Sequence, residues 1–257
     1  MFSNKKRCIY RASPAAEVIC QLRFPEILAV TAADPVEFQE AIREAFPVFV
    51  RKQEMPMPKL SGTTIQKGTP VTNFQFSSAD GVWRVNLTNK FISLACTRYS
   101  CWETFARHLD QPLAAFIRIY KPAYFERVGL RYVNFLSRQR LGLEGIPFRE
   151  LIAPAYLGPL ALEDVAEASA SRCTVDCDIA LRGGCRVKIH AGPGLVQRNG
   201  IADKEVKFIF DQDLYMTGQL QLNLAAGALH TLHAQAFSLF RGAITQRLHE
   251  AMGPEEE

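Results

Sequence analysis

The order in which apolar periodicities succeed one another constrains this chain more than any single motif does. Residues 17–24 place Val18, Cys20, Leu22 and Phe24 on alternate positions, the pattern of a half-buried strand. Asp34-Pro35-Val36-Glu37 then reads as a helix start, with Asp34 as cap, Pro35 at the first position and Glu37 completing a capping box. Phe38, Ile42 and Phe46 come next at helical spacing until Pro47 stops the run. Residues 51–69, rich in Pro, Lys, Gly and Thr, read as a long loop. Strands are expected over 71–78 and 82–88 about the hairpin signal Asp80-Gly81, and over 91–97. Ser100-Cys101-Trp102-Glu103 opens a second helix with another capping box. Trp102, Phe105, Leu109, Leu113, Phe116 and Tyr120 form its apolar stripe, and Pro112 is expected to kink or restart it.

The same order then begins again. Residues 126–136 alternate as a strand, and short helical stretches are expected at 148–152 and 160–168. Residues 172–181 and 185–190 flank the hairpin signal Gly183-Gly184, and 204–210 supply a third strand. A long helix is expected from about 226 to 252, with Gly242 inside it; residues 219–224 fit strand or helix equally by periodicity. Antiparallel meanders closed by amphipathic helices make the expected fold class α+β. The two strand–helix–meander–helix units, residues 1–121 and 122–257, read as a structural duplication, arranged as two halves or one continuous domain.

Composition narrows the function classes. At 257 residues and 48% hydrophobic, the chain has ample material for a core, and 22% charged residues argues against disorder. No apolar run approaches the ~20 residues of a membrane span. The start is basic, but Arg11, Ser13, Pro14 and Glu17 interrupt the residues after it, so no signal peptide is read and a cytoplasmic location is expected. The net charge of +4 is scattered, which does not favour a nucleic-acid binder over other classes.

Seven cysteines, an odd count, argue against a disulfide framework. Cys173, Cys177 and Cys185 lack zinc-finger spacing, and Cys173, Val175, Cys177, Ile179 and Leu181 share a strand face, so these thiols are expected in the core. His230 and His233 are three apart without the metalloprotease glutamate, and His233 lies on the apolar stripe, where a hydrogen-bonded core histidine is expected. Ala191-Gly192-Pro193-Gly194 lacks the residues of a phosphate loop and reads as a turn. No metal and no cofactor is expected.

Three segments carry a family resemblance: Pro14-Ala15-Ala16-Glu17-Val18, Gly129-Leu130-Arg131-Tyr132-Val133-Asn134, and the stretch from His233 to Ile244-Thr245. The chain resembles a sporadically distributed prokaryotic family of uncharacterised proteins with these three motifs. The resemblance implies no activity, cofactor or catalytic residue. The family's scattered distribution implies an accessory role in mobile or defence-related gene cassettes.

The central motif holds the residues of most interest. Arg131 lies between apolar neighbours and needs an anionic partner if buried. A salt bridge to Glu17 clamping the two opening strands is the preferred reading. The other is an anion site formed by Arg23, Arg131, Tyr132 and Asn134. The preferred function is a binding or interaction protein for a macromolecular partner or a small anionic ligand, with a homodimer surface among the partner classes. The alternatives are an enzyme built on that anion site and a nucleic-acid-associated accessory factor.

Overall fold

Val18, Cys20 and Leu22 need an apolar cover, and so do Val128, Leu130 and Tyr132; the chain answers both needs by pairing the two opening strands side by side. The computed structural model describes residues 3, 5–55, 59–61, 64–66, 70–198 and 201–256. In chain order these residues form β1 (Cys8–Tyr10), β2 (Ala15–Arg23), α1 (Ala29–Ala32), α2 (Val36–Ile42) and β3 (Val48–Glu54). Next come β4 (Lys59–Ser61), β5 (Thr64–Gln66), β6 (Val71–Ser77), β7 (Trp83–Leu87), β8 (Phe91–Cys96) and α3 (Trp102–Tyr120). Then the chain forms β9 (Phe125–Leu136), several 3₁₀ turns, β10 (Val175–Ala180), β11 (Cys185–Arg198) and β12 (Ile201–Leu220). It closes with α4 (Ala225–Ala243), α5 (Gln246–Ala251) and β13 (Pro254–Glu256).

The fold is α+β. Nine strands form one antiparallel sheet in the order β10-β11-β12-β9-β2-β8-β7-β6-β3. Its centre is the β2–β9 pair, with Val18 opposite Tyr132, Cys20 opposite Leu130 and Leu22 opposite Val128. On each side of that pair the last strand of a meander lies next to the opening strand, β8 beside β2 and β12 beside β9. Helices and 3₁₀ turns cover one face only. Phe116 of α3 meets Phe24, Phe38 of α2 meets Phe76, and Phe148 and Tyr156 of the 3₁₀ turns meet Phe208 and Phe210. The buried side chains of both halves form a single cluster. Separately, β1 pairs with β13, tying the N-terminal segment to the C-terminal one.

Tertiary partners overrule several local expectations. Asp34 does not cap α2: Pro35 is the N-cap, with no side-chain bond, and the Asp34 carboxylate pairs with Arg51 of β3. Nor does Ser100 cap α3. Cys101 holds that position, and Glu103 turns away to Arg7. Helix α3 runs unbroken through Pro112. The expected loop 51–69 instead begins as an edge strand, since Arg51–Glu54 complete β3 against β6; β4 and β5 form a small hairpin beyond it, and residues 56–58, 62–63 and 67–69 lie outside the described residues. Residues 219–224 divide, with β12 ending at Leu220 and a 3₁₀ turn over Leu222–Leu224. The expected helix 226–252 breaks at Ile244, which turns extended to bridge Ile152, while Thr245 N donates to Leu151 O and Thr245 Oγ1 to Glu150 O. Thr245 then caps α5 by accepting from Leu248 N.

Ala191-Gly192-Pro193-Gly194 is no turn but the middle of β11. Pairing with β10 ends at Ala191, so β11 is an edge beyond it, where a proline forfeits no ladder bond. Gly192 is required by closeness, because a Cβ there would collide with the carbonyl oxygen of Cys173. Gly227, near the start of α4, has nothing within 4 Å of an added Cβ. Gly192→Ala should therefore cost ~1–3 kcal/mol by overpacking, and Gly227→Ala should leave stability unchanged or raise it by up to ~1 kcal/mol. Urea unfolding of the two variants checks the contrast.

Candidate functional site

Strand alternation gives the central motif two separate faces. Tyr132 and Asn134 point under the helices; Arg131 and Gly129 point to the open face. Tyr132 is 7% exposed and lies directly across from Gln212 of β12. Its hydroxyl is 2.8 Å from His233 Nδ1 of α4. The His233 ring stacks on Trp102 at the start of α3, with centroids 4.8 Å apart and planes within 9°. Tyr99 meets Tyr132 edge-on at 5.6 Å. Asn134 is spent on the sheet itself, donating to Phe210 O at 3.0 Å.

Tyr99, Tyr132, Asn134, Gln212 and His233 line a pocket of about 80 Å³, walled by Ile9, Tyr10, Pro14, Ala236, Phe237 and Phe240, with Arg7, Cys8 and Cys101 also on its lining. Two polar atoms of these lining residues have no hydrogen-bond partner among the described residues: Gln212 Oε1 and His233 Nε2. Gln212 is 2% exposed and His233 6%. An unpaired buried polar atom costs ~1–3 kcal/mol; Asn73 Oδ1, Asn89 Oδ1 and Gln235 Oε1 are likewise unpartnered among the described residues, but none of those three residues lines this pocket. Burial, and secondarily the nearby Arg7 charge, holds the His233 imidazole down at about 3. It is neutral at pH 7, and in the tautomer in which the Tyr132 hydroxyl donates to Nδ1 the ring proton is on Nε2.

The pocket opens beside a vestibule of about 770 Å³ that shares Ile9, Tyr10, Pro14 and Tyr99 with it. The acids of the vestibule are engaged: Asp203 with Lys207, and Glu205 with Ser137 Oγ at 2.6 Å and Gln139 N at 3.0 Å. Arg98 and Arg140 form no ion pair among the described residues, and Arg140 is placed by donating to Ser13 O at 3.2 Å.

The open face holds the other predicted residues. Arg131 does not pair with Glu17. Its Nε donates to Asp211 Oδ1 at 2.8 Å and its Nη2 to Asp211 Oδ2, while Glu17 accepts from Arg84 at 3.0 Å. The reason is the supply of partners on each side. Glu17 and Asp211 both lie opposite Val133, two positions along from Ile19 and Asp213, which face Arg131 itself on its two sides, so Arg131 has two acids on the β12 side and one on the β2 side that Arg84 already engages. Arg131 is also 46% exposed and so carries no burial penalty that only Glu17 could relieve. Arg127 reaches across Gly129 to both Asp213 oxygens at 2.7 and 2.8 Å and lies over the Tyr215 ring. A Cβ on Gly129 would meet that guanidinium, the movable end of the Arg127 side chain. Arg23 is exposed at the end of β2, opposite Arg127, and no ion pair to it forms among the described residues. The four predicted site residues are thus split: Tyr132 and Asn134 at the pocket, Arg131 and Arg23 on the opposite face.

Sequence reasoning passed over Gln212, although a signal was present. Phe208, Phe210, Gln212 and Leu214 share a face, and one polar side chain on an apolar face needs an explanation. Arg7, Tyr99 and Cys101 join the site through tertiary structure alone. Cys173 and Cys177 are half-buried and Cys185 buried, and among the described residues no group of three or more His, Cys, Asp or Glu is placed to hold a metal ion. Likewise among those residues, no helix is long and apolar enough to cross a membrane. No protein-family model matches the chain, and no curated protein matches it.

The geometry sets two expected outcomes. Arg131→Met should cost no more than ~1 kcal/mol, the worth of an exposed ion pair, and a double-mutant cycle with Glu17→Leu should show no coupling. For His233, the unfolded ring protonates near 6.5 and the folded ring only near 3. Its contribution to stability is fully present above pH 6.5 and is lost as pH falls toward 3, at up to ~1.4 kcal/mol per pH unit. Urea unfolding between pH 7 and pH 4 should show that slope in the natural protein and lose this component in His233→Phe.

Proposed function

We propose that the chain is a binding protein for a small hydroxylated anion. The observation that carries this reading is the pair of buried atoms without a partner among the described residues, Gln212 Oε1 and His233 Nε2, on two residues that line one small pocket. One is an acceptor and the other, in the tautomer above, a donor. A hydroxyl satisfies both at once, donating to the amide oxygen and accepting from the imidazole. Apolar walls suit a short carbon skeleton, and the pocket volume admits only a few non-hydrogen atoms. Arg98 and Arg140 at the mouth supply the charge that a carboxylate or phosphate tail requires.

Binding is favoured over acid–base catalysis because a histidine held near 3 is a poor base at neutral pH. Nucleic-acid association is disfavoured, since Arg84, Arg127, Arg131 and Arg186 on the open face are each answered by a carboxylate. The family resemblance supplies no activity that competes with this reading.

Thermal melts with glycolate, lactate and glycerol phosphate, against acetate, propionate and inorganic phosphate, test the reading. The hydroxylated anions should raise the melting temperature more than their deoxy counterparts, and Gln212→Leu should abolish the difference. Without ligand, Gln212→Leu should be as stable as the natural protein or up to ~1–3 kcal/mol more stable, because it removes an unpaired acceptor. Equal shifts from both series, or a Gln212→Leu chain that is less stable, would overturn the proposal.

A further inference from the structure

A charge taken out of water must be answered by an opposite one, or it destabilises the fold. Arg7, Arg84, Arg127, Arg138 and Arg186 are half-buried, and each meets a carboxylate: Glu103, Glu17, Asp213, Glu167 and Asp178 in turn. Arg241, near the end of α4, is more buried than any of them, at 3% exposed, yet it forms no ion pair among the described residues. Its hydrogen bond runs from Nη2 to Oε1 of Gln246, a neutral amide, at 2.7 Å. The most buried arginine is thus the one without an acid.

The surroundings of Arg241 add positive charge. The N-terminal segment crosses α4 here, with Ser3 N donating to Ser238 O at 3.0 Å. From that segment Lys5 Nζ donates to the same Gln246 Oε1 at 3.4 Å, so two cations share one neutral oxygen. The other end of the amide is held by Glu250, whose Oε1 accepts from Gln246 Nε2 at 2.9 Å. His249 of α5 belongs to the same group. Its Nδ1 is 2.9 Å from the Tyr10 hydroxyl, and burial, then the Arg241 and Lys5 charges, hold the imidazole below its usual range against a smaller opposing effect of Glu250. Gln246 and Lys5 are exposed, so the position that Gln246 Oε1 occupies is reached from solvent.

We propose that Arg241, Lys5 and His249 form a binding site for a phosphate group, one oxygen of which takes the place of Gln246 Oε1. A guanidinium presents a planar fork of donors that fits two oxygens of an anion. A carboxylate would spend both of its oxygens on that fork, whereas a phosphate has others left for the Lys5 ammonium and the His249 ring. In the free chain the Gln246 amide stands in for the anion, and as an exposed side chain it can swing clear. Bound phosphate would tie the N-terminal segment to α4 and α5. The site is separate from the pocket of Gln212 and His233: Tyr10 borders both, but Lys5, Arg241, Gln246 and His249 do not line that pocket. Inorganic phosphate and glycerol phosphate would both occupy it, so the comparison of hydroxylated with deoxy anions is unaffected.

Proton NMR of the His249 ring tests the site, with the full chain titrated with inorganic phosphate at an ionic strength held constant by chloride. Phosphate should shift the His249 resonance saturably and move its titration midpoint upward, because the anion offsets the two cations that depress it. Arg241→Met should weaken phosphate by about tenfold or more, and Lys5→Ala by roughly two- to fivefold. Gln246→Glu puts a carboxylate where the phosphate would lie. It should raise the melting temperature of the free chain and abolish the phosphate response, even with Glu250 four positions on. As a surface change it decides the matter where Arg241→Met fails to fold. Methyl phosphate alongside inorganic phosphate separates a phosphate ester from the free ion, the tighter binder naming the source. A His249 resonance indifferent to phosphate, or a response undiminished in Gln246→Glu, overturns the site. A response lost in Gln212→Leu would assign it to the other pocket and overturns the site too. Glycolate binding is read apart from this, so either proposal can fail while the other stands.

Discussion

The antiparallel pairing of Ala15–Arg23 with Phe125–Leu136 is the join on which the rest of the molecule depends. Each strand opens its own half and has a meander on its far side only. Apart, each would be a sheet edge with unpaired backbone donors and acceptors. Together they fuse two sheets into one of nine strands and put Val18, Cys20, Leu22, Val128, Leu130 and Tyr132 into a common core. The helix that closes each half then lies over the sheet near this seam. That is why Trp102, from the first half, stacks on His233, from the second, above Tyr132. The pocket is a consequence of the seam.

Magnitude decides which polar feature of the seam bears on function. The open face is rich in charge, but its arginine–carboxylate pairs are partly solvated, and such pairs contribute at most ~1 kcal/mol each. Arg84, Arg127, Arg131 and Arg186 are each answered there by a carboxylate. Beneath the helices the charge is low, yet two atoms go without partners where each omission costs ~1–3 kcal/mol. One strand, β9, serves both faces, and its alternation keeps the structural arginines apart from the pocket.

Much of the sheet is legible in the sequence because its signals are local. Gly81, Gly183 and Gly184 adopt the positive φ that their hairpin turns require, and the alternation of Val18 to Phe24 and Val128 to Asn134 reports burial directly. The features that periodicity misses are those that depend on a distant partner. Strand β3 is exposed over most of its length and is a strand only because β6 lies beside it. The break at Ile244 exists because residues 150–153 run alongside, about ninety positions away in the chain. That Arg131 needs an acid is plain from its neighbours, but the choice between Glu17 and Asp211, both opposite Val133, rests on which strands lie on either side and on Arg84 already holding Glu17, which periodicity does not fix. Tyr132 and Asn134 stand out through their motif. Gln212 does not, even though it interrupts an apolar face.

The central claim is that Gln212 and His233 wait for a hydroxyl. Nitrogen-15 NMR of the His233 ring tests it most directly, because both ring nitrogens report their protonation and partners. In the free protein at pH 7 the ring should be the neutral tautomer protonated at Nε2. Saturating glycolate should move the Nε2 resonance while leaving Nδ1, bonded to Tyr132, nearly fixed, and acetate should move neither. An Nδ1-protonated ring, or an Nε2 resonance indifferent to glycolate, would contradict the account.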